Sequence, residues 1–256
     1  RMTAAFDVII PARYGASRLP GKLLRDIAGK PMIHRTYERA LESKAERIIV
    51  ATDDDGIARV VDSFGGTVCR TQSEHATGTD RIAETVEILS FDKDRIIVNL
   101  QGDEPCVPGG LIDQVAECLA GATEAEMATV SLPLVRHEDM NDPSVVKVVV
   151  DRRGYALYFS RAPIPFVRND VPPDNATHPR YMRRHIGLYA YRVGYLRRFV
   201  SLEPSPLEQV EKLEQLRALW HGDRIAVAAA ESLPGPGVDT LADLEEVIQI
   251  FERRDT

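Results

Sequence analysis

The chain has 256 residues, 44% hydrophobic and 28% charged, with 32 basic against 39 acidic side chains and a net charge of −7. That charge argues against a general nucleic-acid binder, and a composition near the globular average excludes disorder, collagen and coiled coil. The longest apolar runs, such as Val145 to Val150 with Lys147 inside it, fall far short of the ~20 residues a membrane span needs, so no membrane partner is expected. Cys69, Cys106 and Cys118 fit neither a paired disulfide set nor a C-x-x-C knuckle, and read as reduced thiols of a cytoplasmic protein. The run from Ala4 to Pro11 carries Asp7 and is no leader core, and Arg1 before Met2 reads as a tag remnant.

In chain order, Phe6 to Pro11 is a short β-branched run that predicts a buried parallel strand. Lys30 to Glu42 predicts a helix with Pro31 in its first turn, and Arg47 to Thr52 a second strand. Asp53, Asp54 and Asp55 cap a helix through Phe64, Thr67 to Arg70 is a short strand, and Gly78 to Leu89 a further helix. Arg95 to Leu100 is the fourth strand. Such alternation over the first ~120 residues predicts an α/β fold, a doubly wound, mostly parallel sheet with right-handed crossovers.

The pattern breaks after Met127. Val145 to Asp151 and Tyr155 to Ser160 flank Arg152-Arg153-Gly154, a hairpin turn that opens a smaller antiparallel insertion, placed at residues 133–200 of a single domain spanning 1–256. A Pro- and Asn-rich loop from Pro163 to Pro179 leads to a strand at His185 to Tyr191. Leu207 to His221 is expected to be one amphipathic helix with Val210, Leu213 and Trp220 on its buried side. Arg224 to Ala230 is a strand and Leu241 to Arg253 the last helix; no internal repeat is present.

Ligands of open α/β sheets bind beyond the carboxyl ends of the strands. The loop after the first strand carries Arg13, Arg18, Lys22 and Arg25 with Gly15 and Gly21 and no acid, a combination suited to a polyphosphate or, more blandly, a solvated basic loop. It is no P-loop, because five residues separate the glycines and Leu23 stands where Ser or Thr would bind magnesium. The fourth strand ends in Asn99-Leu100-Gln101-Gly102-Asp103-Glu104-Pro105. Asp103 there suits a Mg²⁺ ligand or a turn cap. Asp239, in Gly235-Pro236-Gly237-Val238-Asp239-Thr240, suits a second metal ligand or the N-cap of the last helix.

These stretches, with residues 10–23, Ala51-Thr52-Asp53-Asp54, His75-Ala76-Thr77-Gly78-Thr79-Asp80-Arg81, 159–165, 185–189, 205–208 and 213–217, resemble the 3-deoxy-manno-octulosonate cytidylyltransferase (CMP-Kdo synthetase) family over essentially the whole chain. The phosphate loop alone recurs across sugar nucleotidyltransferases; the ordered set is specific. Thr77 departs from the expected Ser while keeping the hydroxyl.

The resemblance implies a nucleotide-diphospho-sugar transferase-like fold and attack by the anomeric hydroxyl of Kdo on the α-phosphorus of CTP, giving CMP-Kdo and pyrophosphate with Mg²⁺, for lipopolysaccharide synthesis. It implies Arg13, Lys22 and Asp103 as catalytic residues, and Ala12, Arg13, Lys22, Thr77, Gly78, Arg81, Gln101 and Asp103 around the nucleotide. Mg²⁺ falls to Asp103 and Asp239. An acidic sugar needs a planar cation and several acceptors. Gln101, Arg161, His185, Tyr189, Glu208, Glu211 and Gln215 are the candidates, although a solvated helix face and a structural histidine would explain the last trio and His185 equally. The family is also dimeric through its smaller subdomain, and the apolar stretches from Met127 to Val135 and Val145 to Val150 predict a homodimer. The alternatives are a cytidylyl- or uridylyltransferase for another acidic sugar or sugar phosphate, and a protein that holds a nucleotide without turning it over.

Overall fold

The computed structural model describes residues 5–15, 18–134, 136, 138–166, 168 and 182–254. Arg1 and Met2, Ala16 and Ser17 of the phosphate loop, Val135 and most of the Pro/Asn-rich loop lie outside these.

Strand β1 (Phe6–Ala12) shows why the sheet is covered on both faces: Phe6, Val8, Ile10 and Ala12 enter one core and Ile9 the other. The same alternation holds in β4 (Ile48–Thr52) and β6 (Ile96–Asn99). Between β1 and β4 lie the two-residue strands β2 (Asp26–Ile27) and β3 (Lys30–Pro31) and helix α1 (Met32–Leu41). The expected helix start at Lys30 is therefore corrected. Ala28 and Gly29 turn the chain with positive φ, Lys30 and Pro31 pair back on Ile27 and Asp26, and Pro31 becomes the N-cap.

Helix α2 (Asp55–Ser63) starts at Asp54, whose carboxylate accepts from Ile57 N. It is followed by β5 (Thr67–Arg70), α3 (Gly78–Ile88), β6, α4 (Gly109–Gly121) and β7 (Met127–Pro133). The short α5 (Glu138–Asn141) precedes the hairpin β8 (Lys147–Val150) and β9 (Ala156–Ser160). Then come β10 (Arg183–Arg192), α6 (Val193–Ser201), α7 (Pro206–Glu211), α8 (Leu216–Trp220), β11 (Ile225–Ala229) and α9 (Leu241–Arg254).

The main sheet runs β11-β7-β10-β6-β1-β4-β5, parallel except for β10, which is antiparallel to both β6 and β7. The hairpin β8–β9 joins it where Arg183 and Arg184 of β10 pair with Val148 and Lys147. The antiparallel insertion thus grows out of the main sheet. Helices α1, α2, α4 and α9 bury one face, while α3, α6 and α8 bury the other. No helix among the described residues is long and apolar enough to cross a membrane.

The single helix expected over 207–221 is two. Lys212 adopts the left-handed conformation at φ 54° and ends α7, and the chain restarts at Leu216. The 3.6-residue register is broken there, so Leu213 is buried but Val210 is 83% and Trp220 54% exposed.

Candidate active site

The loop from Arg13 to Arg25 folds back because Gly21, at φ +66°, donates its amide to Tyr14 O (3.0 Å) beneath the Tyr14 ring. Only a residue tolerant of positive φ makes that turn without strain. Lys22 then starts a 3₁₀ turn with its side chain buried, aimed at the end of β6.

There its ammonium donates to Asp103 Oδ2 (2.5 Å), Asp239 Oδ1 (3.1 Å) and the Val238 carbonyl (2.8 Å). Burial alone would lower its pKa, but Asp103 and Asp239 outweigh burial and raise it, so Lys22 stays charged. Arg18 holds the other oxygen of Asp239 at 3.0 Å. Asp239 is not the helix cap: Thr240 Oγ1 accepts from Asp243 N and Asp243 Oδ2 accepts from Thr240 N. That reciprocal pair leaves the Asp239 carboxylate to the basic loop.

A cavity of about 200 Å³ opens at this point. Pro11, Ala12 and Arg13 reach it from β1, Arg18 and Lys22 from the loop, His75, Thr77, Gly78 and Arg81 from the start of α3, and Gln101, Gly102 and Asp103 from β6, with Asp239 opposite. Every residue expected around the nucleotide therefore lines one cavity. Their roles within it differ. Arg13 is exposed and makes no ion pair among the described residues. Arg81 is buried and bound to Asp53 Oδ1 (2.8 Å), Thr71 Oγ1 (2.5 Å) and the Gln72 carbonyl (3.2 Å), so it holds residues 71–77 in place. Thr77 and Asp80 form a capping box, and Gln101 donates to Asn99 Oδ1 (2.8 Å).

The residues expected around the sugar, Gln101 aside, do not line that cavity. His185 is packed edge-on against Phe159 (4.9 Å) and beside Tyr189 (5.4 Å), with Nε2 at 2.9 Å from Thr129 Oγ1. Burial drives its pKa down to about 3, so it is neutral at pH 7. Glu208 caps α7 with Ser205 and takes Arg217 on both oxygens (3.0 and 2.6 Å). Glu211 accepts from Ser160 Oγ (2.6 Å) and Arg161 N (2.8 Å), while the Arg161 guanidinium donates to the carbonyls of Glu211, Pro143 and Lys212. Gln215 is buried.

Two carboxylates escaped the sequence reading. Glu214 Oε2 accepts from Thr79 Oγ1 (2.6 Å) at the start of α3, while Oε1 is buried and finds no hydrogen-bond partner among the described residues; burial raises its pKa despite the hydrogen bonds from Thr79 and Thr77. The residues were in view within 213–217, but no Gly or Asn signals the left-handed Lys212 that turns Glu214 inward. Glu104 is pushed up to about 7, by burial first and then by Asp103 and Asp239 beside it. Its position after Asp103 was its only signal.

Residues 8–225 match the family described as Cytidylyltransferase. The 3-deoxy-manno-octulosonate cytidylyltransferase of Idiomarina loihiensis (strain ATCC BAA-735 / DSM 15497 / L2-TR) is 54% identical over 243 residues, 94% of this chain and 96% of that protein. A CMP:2-keto-3-deoxy-manno-octonic acid synthetase solved in complex with CTP superposes with a TM-score of 0.89 at 40% identity, over 98% of this chain and 100% of that one. A cytidylyltransferase from Leptospira borgpetersenii serovar Hardjo-bovis (strain JB197) shares the fold, at a TM-score of 0.60 and 15% identity over 98% and 95% of the two chains. With its basic loop, strand-end carboxylate and Asp239 gathered in one cavity and these likenesses spanning nearly its full length, the chain belongs to the cytidylyltransferase family, among the 3-deoxy-manno-octulosonate cytidylyltransferases.

Proposed function

We propose that this cavity binds CTP and presents its α-phosphorus to the anomeric hydroxyl of Kdo. The chain transfers CMP from CTP to Kdo, forming CMP-Kdo and pyrophosphate for lipopolysaccharide synthesis. The observation that carries the site assignment is the convergence of Asp103 and Asp239, distant in the chain, on the ammonium of Lys22.

In-line phosphoryl transfer asks the protein mainly for positioning and charge neutralisation. Arg13 and Lys22, both cationic and on the cavity wall, neutralise the triphosphate, with Arg18 beside them. Mg²⁺ takes one or two carboxylates and completes its shell with phosphate oxygens and water. Asp103 and Asp239 fit that demand because they already converge on one positive charge, and among the described residues no third protein ligand is grouped with them. Held there with the nucleotide, the metal would supply charge neutralisation and acidify the attacking hydroxyl. On the sugar side, Gln101, Tyr189 and Gln215 face the hydroxyls, with neutral His185 behind Tyr189. Glu214, whose Oε1 has no hydrogen-bond partner among the described residues, accepts a further hydroxyl. Arg161 and Glu211 act one layer out, fixing the end of α7 to β9, and Glu208 ties α7 to α8 through Arg217.

The chain works as a cytoplasmic homodimer built through the insertion: among the described residues β9 pairs along its length only with β8, its own Leu157 is 60% exposed, and Phe166 beyond it is 84% exposed. Light scattering at micromolar concentration should read twice the chain mass; the mass of one chain would remove the dimer. For the activity, incubation with CTP, Mg²⁺ and Kdo should yield CMP-Kdo by mass detection together with pyrophosphate. Pyrophosphate release with another sugar acid and none with Kdo would overturn the choice of sugar.

A further inference from the structure

Residues 231–240 carry no regular secondary structure, yet they deliver Asp239 to the site. The segment is fixed at two backbone points on the loop after β6: Gly235 N donates to Cys106 O (3.2 Å) and Val238 N to Asp103 O (2.9 Å). At the second of these points Val238 is buried in the core and its carbonyl accepts from Lys22. The two strand-like contacts set the distance between the Asp239 and Asp103 carboxylates.

Gly235 makes the first contact possible. A Cβ there would lie 2.6 Å from Cys106 Cβ and 3.4 Å from its sulfur. Carbon atoms pack at about 3.5–4.0 Å, so the segment would have to retreat by roughly 1 Å. Cβ of Cys106 is anchored to the backbone and cannot rotate away. Gly235 does not sit in the left-handed region, so nothing but this close approach forbids a side chain.

We propose that Gly235 is a positioning residue of the transfer reaction: by letting residues 235–239 lie directly on Cys106, it holds Asp239 at the spacing from Asp103 that a shared divalent cation requires. The inference rests on the reading of Asp103 and Asp239 as the metal pair. Gly235 touches neither metal nor substrate, and acts only through the placement of Asp239. Displacement of about 1 Å at a catalytic constellation costs up to ~10²-fold in rate, and loss of a group that orients a metal ligand costs ~10–100-fold in affinity.

The test uses the full chain with Mn²⁺ as probe. Free Mn²⁺ is measured by electron paramagnetic resonance in the presence of CTP with Kdo omitted, so that nothing turns over, and rates are measured separately against Mg²⁺. Gly235→Ala should weaken Mn²⁺ binding at least ~10-fold and raise the Mg²⁺ needed for half-maximal rate by a similar factor. Moving the space to the other side of the contact, in Gly235→Ala with Cys106→Gly, should recover most of both, while Cys106→Gly alone binds Mn²⁺ normally. Unchanged Mn²⁺ binding in Gly235→Ala overturns the proposal, as does a double variant that stays as poor as the single one. If Gly235→Ala does not fold, recovery of both fold and Mn²⁺ affinity in the double variant supports the collision, and failure to recover overturns it. Asp239→Ala separates the two ideas: normal Mn²⁺ binding there strikes the metal pair itself, whereas weak binding there with normal binding in Gly235→Ala strikes only the role of Gly235.

Discussion

Strand β1 carries an ionic cluster at each end, and the two are built on opposite arithmetic. At its amino end Asp7 is fully buried and takes both Arg95 (2.7 and 2.9 Å) and Arg47 (3.1 and 2.9 Å), so one carboxylate faces two guanidiniums. Glu46 balances the second charge through Arg95 (2.7 Å), and Arg47 lies over the Phe91 ring at 4.1 Å. Every lone pair that matters is used. At the carboxyl end, Asp103 and Asp239 share the buried ammonium of Lys22, while Arg13 stands exposed and pairs with no acid among the described residues. The first cluster is closed and can only stabilise; the second leaves charges of both signs facing a cavity, where a polyphosphate and a cation complete it together.

Substitutions that break the open cluster should affect rate and spare the fold. Asp103→Ala or Asp239→Ala should each lower turnover by ~10³-fold or more, beyond the usual loss for one electrostatic donor because an oxygen ligand is removed as well. Thermal midpoints should stay near that of the parent protein. Turnover close to normal in Asp239→Ala would leave that residue as no more than a structural partner of Lys22 and Arg18.

The closed cluster should behave in the reverse way. Asp7→Asn leaves two guanidiniums without the carboxylate charge they share, a loss of about 3 kcal/mol for a buried pair, with turnover unchanged once the protein is folded. At this chain length that corresponds to a fall in midpoint of roughly 6–12 °C. Burial pulls the Asp7 pKa upward, and the hydrogen bonds from Arg95 and Arg47 outweigh it and hold the carboxyl below the ordinary range. A depressed folded-state pKa contributes stability that is complete above the unfolded carboxylate value and lost as pH falls through the folded one. The gap between parent and Asp7→Asn midpoints should therefore close on acidification below the usual carboxylate range. A gap that persisted unchanged to low pH would remove Asp7 as its source.

Single phosphate-loop substitutions come next. Arg13→Ala and Lys22→Ala should each cost ~10²-fold in turnover. Near-normal rates in both would sink the loop assignment.

How much of this was legible depended on whether position in the chain or contact in space carried the signal. The β6-β1-β4-β5 half of the sheet was readable because its strands are short, β-branched runs that end in loops of unusual composition, whereas β7, beside the antiparallel β10, read only as an apolar stretch. The phosphate loop was visible from its four cations and absent acids, and Asp103 from its place after a strand. Asp7 looked only like a charge that spoils a leader, because its partners Arg47 and Arg95 belong to the next strands and meet it only in the sheet. Glu214 was missed for a local reason: Lys212 takes a left-handed conformation that no Gly announced, so the helix pattern was extended through it. The cap of the last helix shows the converse. In sequence Asp239 stood as either metal ligand or cap, and the Thr240–Asp243 pair takes the cap role instead.

The smallest expected effect asks whether the closed cluster needs both of its cations. Arg47 is half-exposed, and Arg95 keeps both of its hydrogen bonds to Asp7 without it. Arg47→Ala should therefore remove only a screened ion pair and the stacking on Phe91, together about 1 kcal/mol, with no change in turnover. Arg95→Ala should cost more, because Arg95 is the more buried of the two and also carries the link to Glu46. A double-mutant cycle between Asp7→Asn and each arginine resolves the split. If the Arg47 coupling equalled that of Arg95, solvent would not be screening it, and the amino end of β1 would hold a buried triad with three equivalent members.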